Sequence, residues 1–438
     1  MAKPKPTSSL FLGVVFLCCW WLSSSLARGA ATYNVVNFGA KSDGKTDSTK
    51  AFLNAWSKAC ASTIPASIYV PQGRFLLKSA TFKGQCANKA ISIIIDGTLV
   101  APSDYRVTGN AVNWLQFEGV DGVSIRGGVL DGQGAALWGC KNSGQGNCPT
   151  GATVELDLVI IRLVRVCLVG EIHGTVCNCS MWLLEVEANI MGGTLTMTNS
   201  NNIAISGLTS MNSQLYHIVL NGCSNVKVQG VKVMAEGNSP NTDGIHVQMS
   251  SHVTILNSKI RTGDDCISIG PGTSNLWIQN IACGPGHGIS IGSLGKDFKE
   301  PGVQNVTVKT VTFTGTQNGV RIKTWGRPSS GFVRNVIFQD ATMVNVENPV
   351  IIDQNYCPGN KGCPGQASGV KVSDVTYQDI HGTSATQVAV KFDCSSKYPC
   401  SMIKMQNVKL TYNNEPAIAS CNNAVGAALG LVQPQSCF

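Results

Sequence analysis

The feature that most constrains the fold of this 438-residue chain is a seven-residue unit recurring in phase through its second half. The unit reads Asn, apolar, polar, apolar, polar, Gly or Asn, apolar, and is first seen whole as Asn202-Ile203-Ala204-Ile205-Ser206-Gly207-Leu208. It returns as Asn225-Val226-Lys227-Val228-Gln229-Gly230-Val231 and Asn275-Leu276-Trp277-Ile278-Gln279-Asn280-Ile281. Further copies begin at Asn305 and Asn335, with a variant at His252-Val253-Thr254-Ile255. Successive copies start 23, 27, 23, 30 and 30 residues apart. Alternation of apolar and polar residues is the period of a strand with one buried face. Such a strand, broken by Gly and Asn and repeated at this interval, fits one coil of a parallel β-helix. Leucine-rich repeats share the period, but the Leu-x-x-Leu-x-Leu spacing is missing. A sandwich or barrel is the plainer alternative and leaves the fixed-phase Asn unexplained. The expectation is an all-β, single-domain right-handed parallel β-helix over residues 32–438.

Composition agrees, since 47 glycines suit turns and strands better than helices, and only 13% of residues are charged. Near the start, Asp47-Ser48 offers an N-cap for a short helix through Ala51 and Trp56, which would cover the open apolar end of the stack. One stretch has no coil register. Residues 154–193, from Val154 through Cys177-Asn178-Cys179 to Gly193, read as an anomalous insertion that either projects as a loop or spoils the stack.

Residues 1–31 have the parts of a secretory signal peptide: Lys3 and Lys5, an apolar run from Leu10 to Leu22, then small residues to Ala31. A membrane anchor is the alternative, but the run falls short of the ~20 residues that span a bilayer. Cleavage removes three cations and no acid, lowering the net charge from +8 to +5. A modestly basic secreted protein is drawn to a polyanion. Nucleic acid is not expected, because no basic run with interleaved aromatics is present. A monomer, with no membrane association after cleavage, is expected. Of 18 cysteines, Cys18 and Cys19 lie in the signal and three in residues 154–193; the close pairs 60/86, 140/148, 266/283, 357/363, 394/400 and 421/437 suggest local disulfides, with Cys223 left over. Metal sites are the alternative, though no pair of CxxC motifs has zinc-finger spacing. Asn305-Val306-Thr307 is a glycosylation sequon.

Four polar clusters punctuate the apolar register: Asn241-Thr242-Asp243, Gly263-Asp264-Asp265, Gly286-His287-Gly288 and Arg321-Ile322-Lys323. Asp243, Asp264 and His287 are 21 and 23 residues apart, close to one coil each. Stacking would therefore gather Asp243, Asp264, Asp265 and His287 in a column, with successive strands about 4.8 Å apart. Arg321 and Lys323, two apart, would point the same way from the next coil. Gathered carboxylates repel, so at least one is expected to keep its proton. An inverting glycosidase needs one carboxylic acid and one carboxylate base about 6.5–9.5 Å apart. Two cations beside them suit a substrate that is itself a carboxylate, such as a uronic acid. Taken singly, Gly-Asp-Asp is a common turn, His287 a loop residue and Arg321 with Lys323 a solvated strand face.

These four motifs, with Tyr356 in Asp353-Gln354-Asn355-Tyr356-Cys357, make the chain from about Tyr33 to Cys437 resemble the plant polygalacturonases of the family 28 glycoside hydrolases. The resemblance implies hydrolysis of α-1,4-linked galacturonan, that is polygalacturonate or pectin, with inversion, in the cell wall outside the cell. It implies Asp264 as general acid, Asp243 and Asp265 as the residues that place and activate water, and His287 as the support for the proton on Asp264. Arg321, Lys323, Tyr356 and Asn241 would bind substrate, and no metal or other cofactor is implied. Ser268-Ile269-Gly270-Pro271-Gly272-Thr273-Ser274-Asn275-Leu276-Trp277 and Thr324-Trp325-Gly326-Arg327-Pro328 give a closer resemblance to the pollen exopolygalacturonases, a class that includes allergens. Exo action, releasing galacturonic acid from the non-reducing end, is the expectation and endo action the alternative. In similar enzymes Gly151-Ala152-Thr153 runs almost directly into Thr194, so residues 154–193 read as a retained intron or gene-model error. A pectate lyase-like enzyme and an inactive wall-binding protein or allergen are the rival functions.

Overall fold

The structure, a computed structural model, describes residues 30–108, 113–144, 148 and 192–438. The signal-peptide reading, apart from residues 30 and 31, and the insertion up to residue 191 lie outside the described residues.

Among the described residues, strands pair in parallel from coil to coil, apart from a short antiparallel pair at Thr411-Tyr412 and Glu415-Pro416. The result is a right-handed parallel β-helix, as the repeat leads one to expect. One sheet of 11 strands forms one flank, and a sheet of 20 strands folds around the rest. The strand Ser251–Arg261 shows how that sheet turns a corner, since its first half pairs with Ser224–Gln229 and its second with Lys232–Met234.

The repeated Asn is the residue that turns the chain. Asn202, Asn225, His252, Asn275, Asn305 and Asn335 all have φ between 53° and 57°. Five residues on, the "Gly or Asn" position is a second left-handed corner, held by Gly207, Gly230, Asn257, Asn280, Thr310 and Asp340. Left-handed backbone is costly for most side chains and least so for Gly and Asn. Stacked Asn side chains also join the coils: Asn225 Nδ2 donates to Asn202 Oδ1 (2.6 Å), Asn305 to Asn275 (3.0 Å) and Asn335 to Asn305 (2.6 Å). The sequon Asn305 is thus an exposed rung of this ladder. Asn335→Ala is expected to cost about 1–2 kcal/mol in denaturant unfolding, and Asn335→Gly less. Equal losses would mean that the ladder bond, not the backbone conformation, sets the residue.

Between the corners, apolar side chains point inward in columns. Ile203, Val226, Val253, Leu276, Val306, Val336, Val375 and Ile403 stack in register and are all 2% exposed or less. The N-terminal end of the core is closed by the helix Thr49–Ala61, which buries Phe52 and Trp56. The expected Ser48 cap is corrected in detail. Its hydroxyl is taken by the Lys41 amide (3.0 Å), and the Asp47 carboxylate accepts the Thr49 amide instead (3.0 Å).

All six close cysteine pairs are disulfides, and Cys223 is a buried free thiol. Strand Gly193–Thr198 pairs directly with Leu115–Glu118 before it and Tyr216–Asn221 after it. The stack is therefore continuous across the anomalous insertion, whose last residue, Gly193, already belongs to a coil. No helix of the described residues is long and apolar enough to cross a membrane.

Candidate active site

The sheet of 11 strands carries the polar clusters. Its strands Ile245–Gln248, Ile267–Ile269, Ile289–Leu294 and Asn318–Trp325 lie side by side, with Ile245, Ile267, Ile289 and Val320 in register and fully buried. Val247, Ile269, Ile291 and Ile322 form the next inward row. Alternation turns the residues between these rows outward: His246, Ser268, Ser290 and Arg321 share one outward row.

Asp243, Asp265 and His287 each stand two residues before the first strand residue of their coil. The column thus runs through Asp265, and Asp264 stands beside it. Asp264 Oδ1 lies 3.1 Å from His287 Nδ1 and accepts the Asp265 amide at 2.8 Å. The side chains of Asp264 and His287 are 20% and 36% exposed, whereas that of Asp265 is 1% exposed. Asp264 is therefore the acid of this adjacent pair that a polymer laid on the face can touch. The disulfide between Cys266 and Cys283 fixes the chain just after the acids.

Asp265 is fully committed. Its Oδ1 accepts from Arg321 Nη2 (2.8 Å) and Ser290 Oγ (2.8 Å), and its Oδ2 from Lys323 Nζ (2.7 Å). Burial alone would raise this carboxyl, but the adjacent Lys323 and Arg321 charges bring it down to about 2. Arg321 and Lys323 project from one strand on either side of buried Ile322, as their spacing requires. One of their two charges is spent on Asp265, and Lys323 also sits 5.3 Å from the centre of the Tyr356 ring. Tyr356 packs edge-on against Trp325.

Asp243 is the acid whose environment disfavours charge. Burial first, then the charges of Asp264 and Asp265, hold it well above the ordinary carboxyl value. A carboxyl raised on folding contributes stability below its unfolded value near 3.8, and that contribution is lost as pH rises through the folded value. Asp243→Asn is therefore expected to match the native protein in acid and to exceed its melting temperature increasingly toward neutral pH. A gap that narrowed on the same pH series would show that Asp243 is stabilised as the anion. Asn241, by contrast, is exposed, in left-handed backbone (φ 57°), and its side chain bonds to no described residue. Its neighbour Thr242 is the structural member of that motif, bonding Thr262 Oγ1 (2.7 Å) and the Gly263 amide (3.1 Å).

Two residues of the site, Tyr216 and His246, were not singled out from sequence. Tyr216, at the Asp243 position one coil earlier, is half-buried, and desolvation and then the charges of the three acids push its hydroxyl well up. Its ring lies 5.3 Å from that of His246, whose Nδ1 bonds Ser268 Oγ at 2.8 Å. Burial lowers His246 to about 4, so this ring is neutral. Stepping one coil back from Asp243, and one alternation forward, would have found these residues.

The ligand atoms of Asp264, Asp265 and His287 lie within 4.8 Å of one another, close enough to hold a metal ion. Both oxygens of Asp265 are already paired to cations, however, and two neighbouring positive charges repel a metal. The donor set does not fit one.

The model of "Glycosyl hydrolases family 28" matches residues 184–437, and that of "Rhamnogalacturonase A/epimerase, pectate lyase-like" matches residues 32–114. A "Polygalacturonase" of Prunus persica is 60% identical, covering 100% of both chains. An "Exopolygalacturonase" of Platanus acerifolia is 39% identical, over 90% of this chain and 94% of its own. Among solved structures, an endo-xylogalacturonan hydrolase from Aspergillus tubingensis superimposes with a TM-score of 0.70 at 22% identity, over 92% of this chain and 99% of that one.

Proposed function

The chain belongs to glycosyl hydrolase family 28, and on that premise we propose that it is an inverting polygalacturonase in which Asp264 donates the proton to the leaving oxygen. The observation that carries this reading is the juxtaposition on one face of an accessible Asp264–His287 pair with a cluster of two cations and one carboxylate. That cluster has one positive charge to spare, which suits a galacturonate carboxylate lying over Arg321, Lys323 and Tyr356. Asp243 and Asp265 flank the attacking water. Asp265 is too weak a base at a pKa of about 2 to take a proton far, so it orients the water while holding both cations in place. Asp243 takes the water's proton, which requires that its own proton be shared with nearby Asp264 as the substrate enters. His287 steadies the carboxyl of Asp264 through the 3.1 Å contact.

Exo action is the finer reading, supported by the 39% identity to an exopolygalacturonase along nearly the whole chain. Secretion to the cell wall fits the six disulfides, which need an oxidising compartment. The test is reducing-end release from polygalacturonate with product sizing. Monomer as the first product means exo attack, and mixed oligomers mean endo attack. Unsaturated, ultraviolet-absorbing products would overturn hydrolysis in favour of elimination.

A further inference from the structure

C-terminal to Lys323 the same face opens into a second cleft of about 660 Å³, within the range of small-molecule sites. Its lining begins next to the candidate active site, at Gly326 after Trp325 and at Asn355 before Tyr356. Three of its wall residues are half-cystines, Cys363, Cys394 and Cys421, each in a separate disulfide. The walls are therefore preformed, which lowers the ordering cost of binding a flexible chain.

The chemistry of this cleft differs from that beside it. In register, the position of Lys323 passes to Asp353 on the next coil, to Asp393 on the one after and then to Asn422. A cationic row thus turns acidic and then neutral within three coils. Asp393 is the one ionisable side chain in the lining, and Lys391 on the same strand does not line it. Asn355, Gln366 and Asn422 supply amide donors and acceptors, and the side chain of Asp393 has one long contact, 3.5 Å from Asn422 Nδ2. A uronate carboxylate placed here meets an acid and no cation. A ring without that charge offers hydroxyls to Asp393 and acceptors to the amides.

We propose that this disulfide-walled cleft is a subsite for an uncharged pyranosyl residue of the polymer, either a methyl-esterified uronosyl or a neutral sugar. The proposal rests on the polygalacturonase reading for its reaction, but its ligand chemistry comes from the cleft alone. The test compares kcat/KM on hexamers of three kinds: unesterified galacturonan, the methyl-esterified form, and one interrupted by neutral sugars. Trigalacturonate serves as the short control.

Ala367→Trp fills the cleft and Asp393→Lys reverses its charge; neither residue belongs to the catalytic cluster. Ala367→Trp is expected to lower kcat/KM about tenfold on the uncharged hexamers while leaving trigalacturonate unchanged. Asp393→Lys is expected to shift preference about tenfold toward the unesterified hexamer. Loss on the esterified form alone identifies the ester as the ligand, and loss on the interrupted form alone identifies the neutral sugar. Parallel changes on every substrate, or none, would overturn the subsite. A native protein inactive on every galacturonan would instead sink the hydrolase reading. Calorimetric binding of the uncharged hexamers would then decide the cleft, with equal affinity for native and Ala367→Trp protein counting against it. Melting curves of both variants establish that they fold.

Discussion

Asp264→Asn is expected to lower kcat on polygalacturonate about 10²–10⁴-fold, the range for loss of a positioned proton donor, while stability stays within about 0.5 kcal/mol. The amide keeps the shape of the acid and still accepts the Asp265 amide and faces His287, so the loop need not move. What it cannot do is protonate a leaving oxygen. Asp243→Asn, assayed beside it, separates the two acids on which the site's proton could sit. Near-native turnover in Asp264→Asn together with a silent Asp243→Asn would move the donor role to Asp243, whose burial favours the protonated form. Reducing-end release and a melting curve on the same preparations suffice.

The second large effect is on stability. Asp265→Ala leaves Arg321 and Lys323 facing one another without their shared carboxylate, at side-chain exposures of 10% and 9%. Removing one member of a buried charge cluster costs about 3–5 kcal/mol, so urea unfolding near neutral pH is expected to shift by that amount. The pH dependence has a definite sign. A carboxyl lowered to about 2 on folding contributes stability above its ordinary value of 3.8 and loses it as pH falls through about 2. The gap between native and Asp265→Ala protein should therefore be widest above pH 4 and close toward pH 2. A constant gap across that range would assign the loss to the cavity rather than to the charges. Asp265→Asn, which fills the space without the charge, should behave like the alanine variant if the ion pairs are what matter.

The coil repeat was legible because two left-handed corners per unit leave a chemical signature: few side chains other than Asn, and otherwise Gly, tolerate that backbone cheaply. The six disulfides were legible for a related reason, since each joins cysteines on the same or adjoining turns. Spacing brought the acids, His287 and the cation pair to one face. It did not say which of Asp264 and Asp265 continues the column, because a one-residue choice is made by the backbone register and not by composition. Nor did it show that both cations are held by Asp265. Tyr216 and His246 escaped notice because an aromatic and an imidazole in an apolar strand carry no signal until the neighbouring coil is known. Asn241 shows the converse: a residue inside a distinctive motif whose side chain stands free of the cluster.

The stacked rows have a consequence for when the protein can be active at all. Tyr216, Asp243, Asp265, His287, Arg321 and Tyr356 come from six successive coils, so no contiguous stretch of chain holds a working fragment of the site. Coils of a solenoid are stable only against their neighbours. A nascent chain, or one clipped between these coils, should therefore be chemically silent, and hydrolytic power should appear as a late step, with the docking of the coil that carries Tyr356. For a polygalacturonase, assembly itself would be the safety catch.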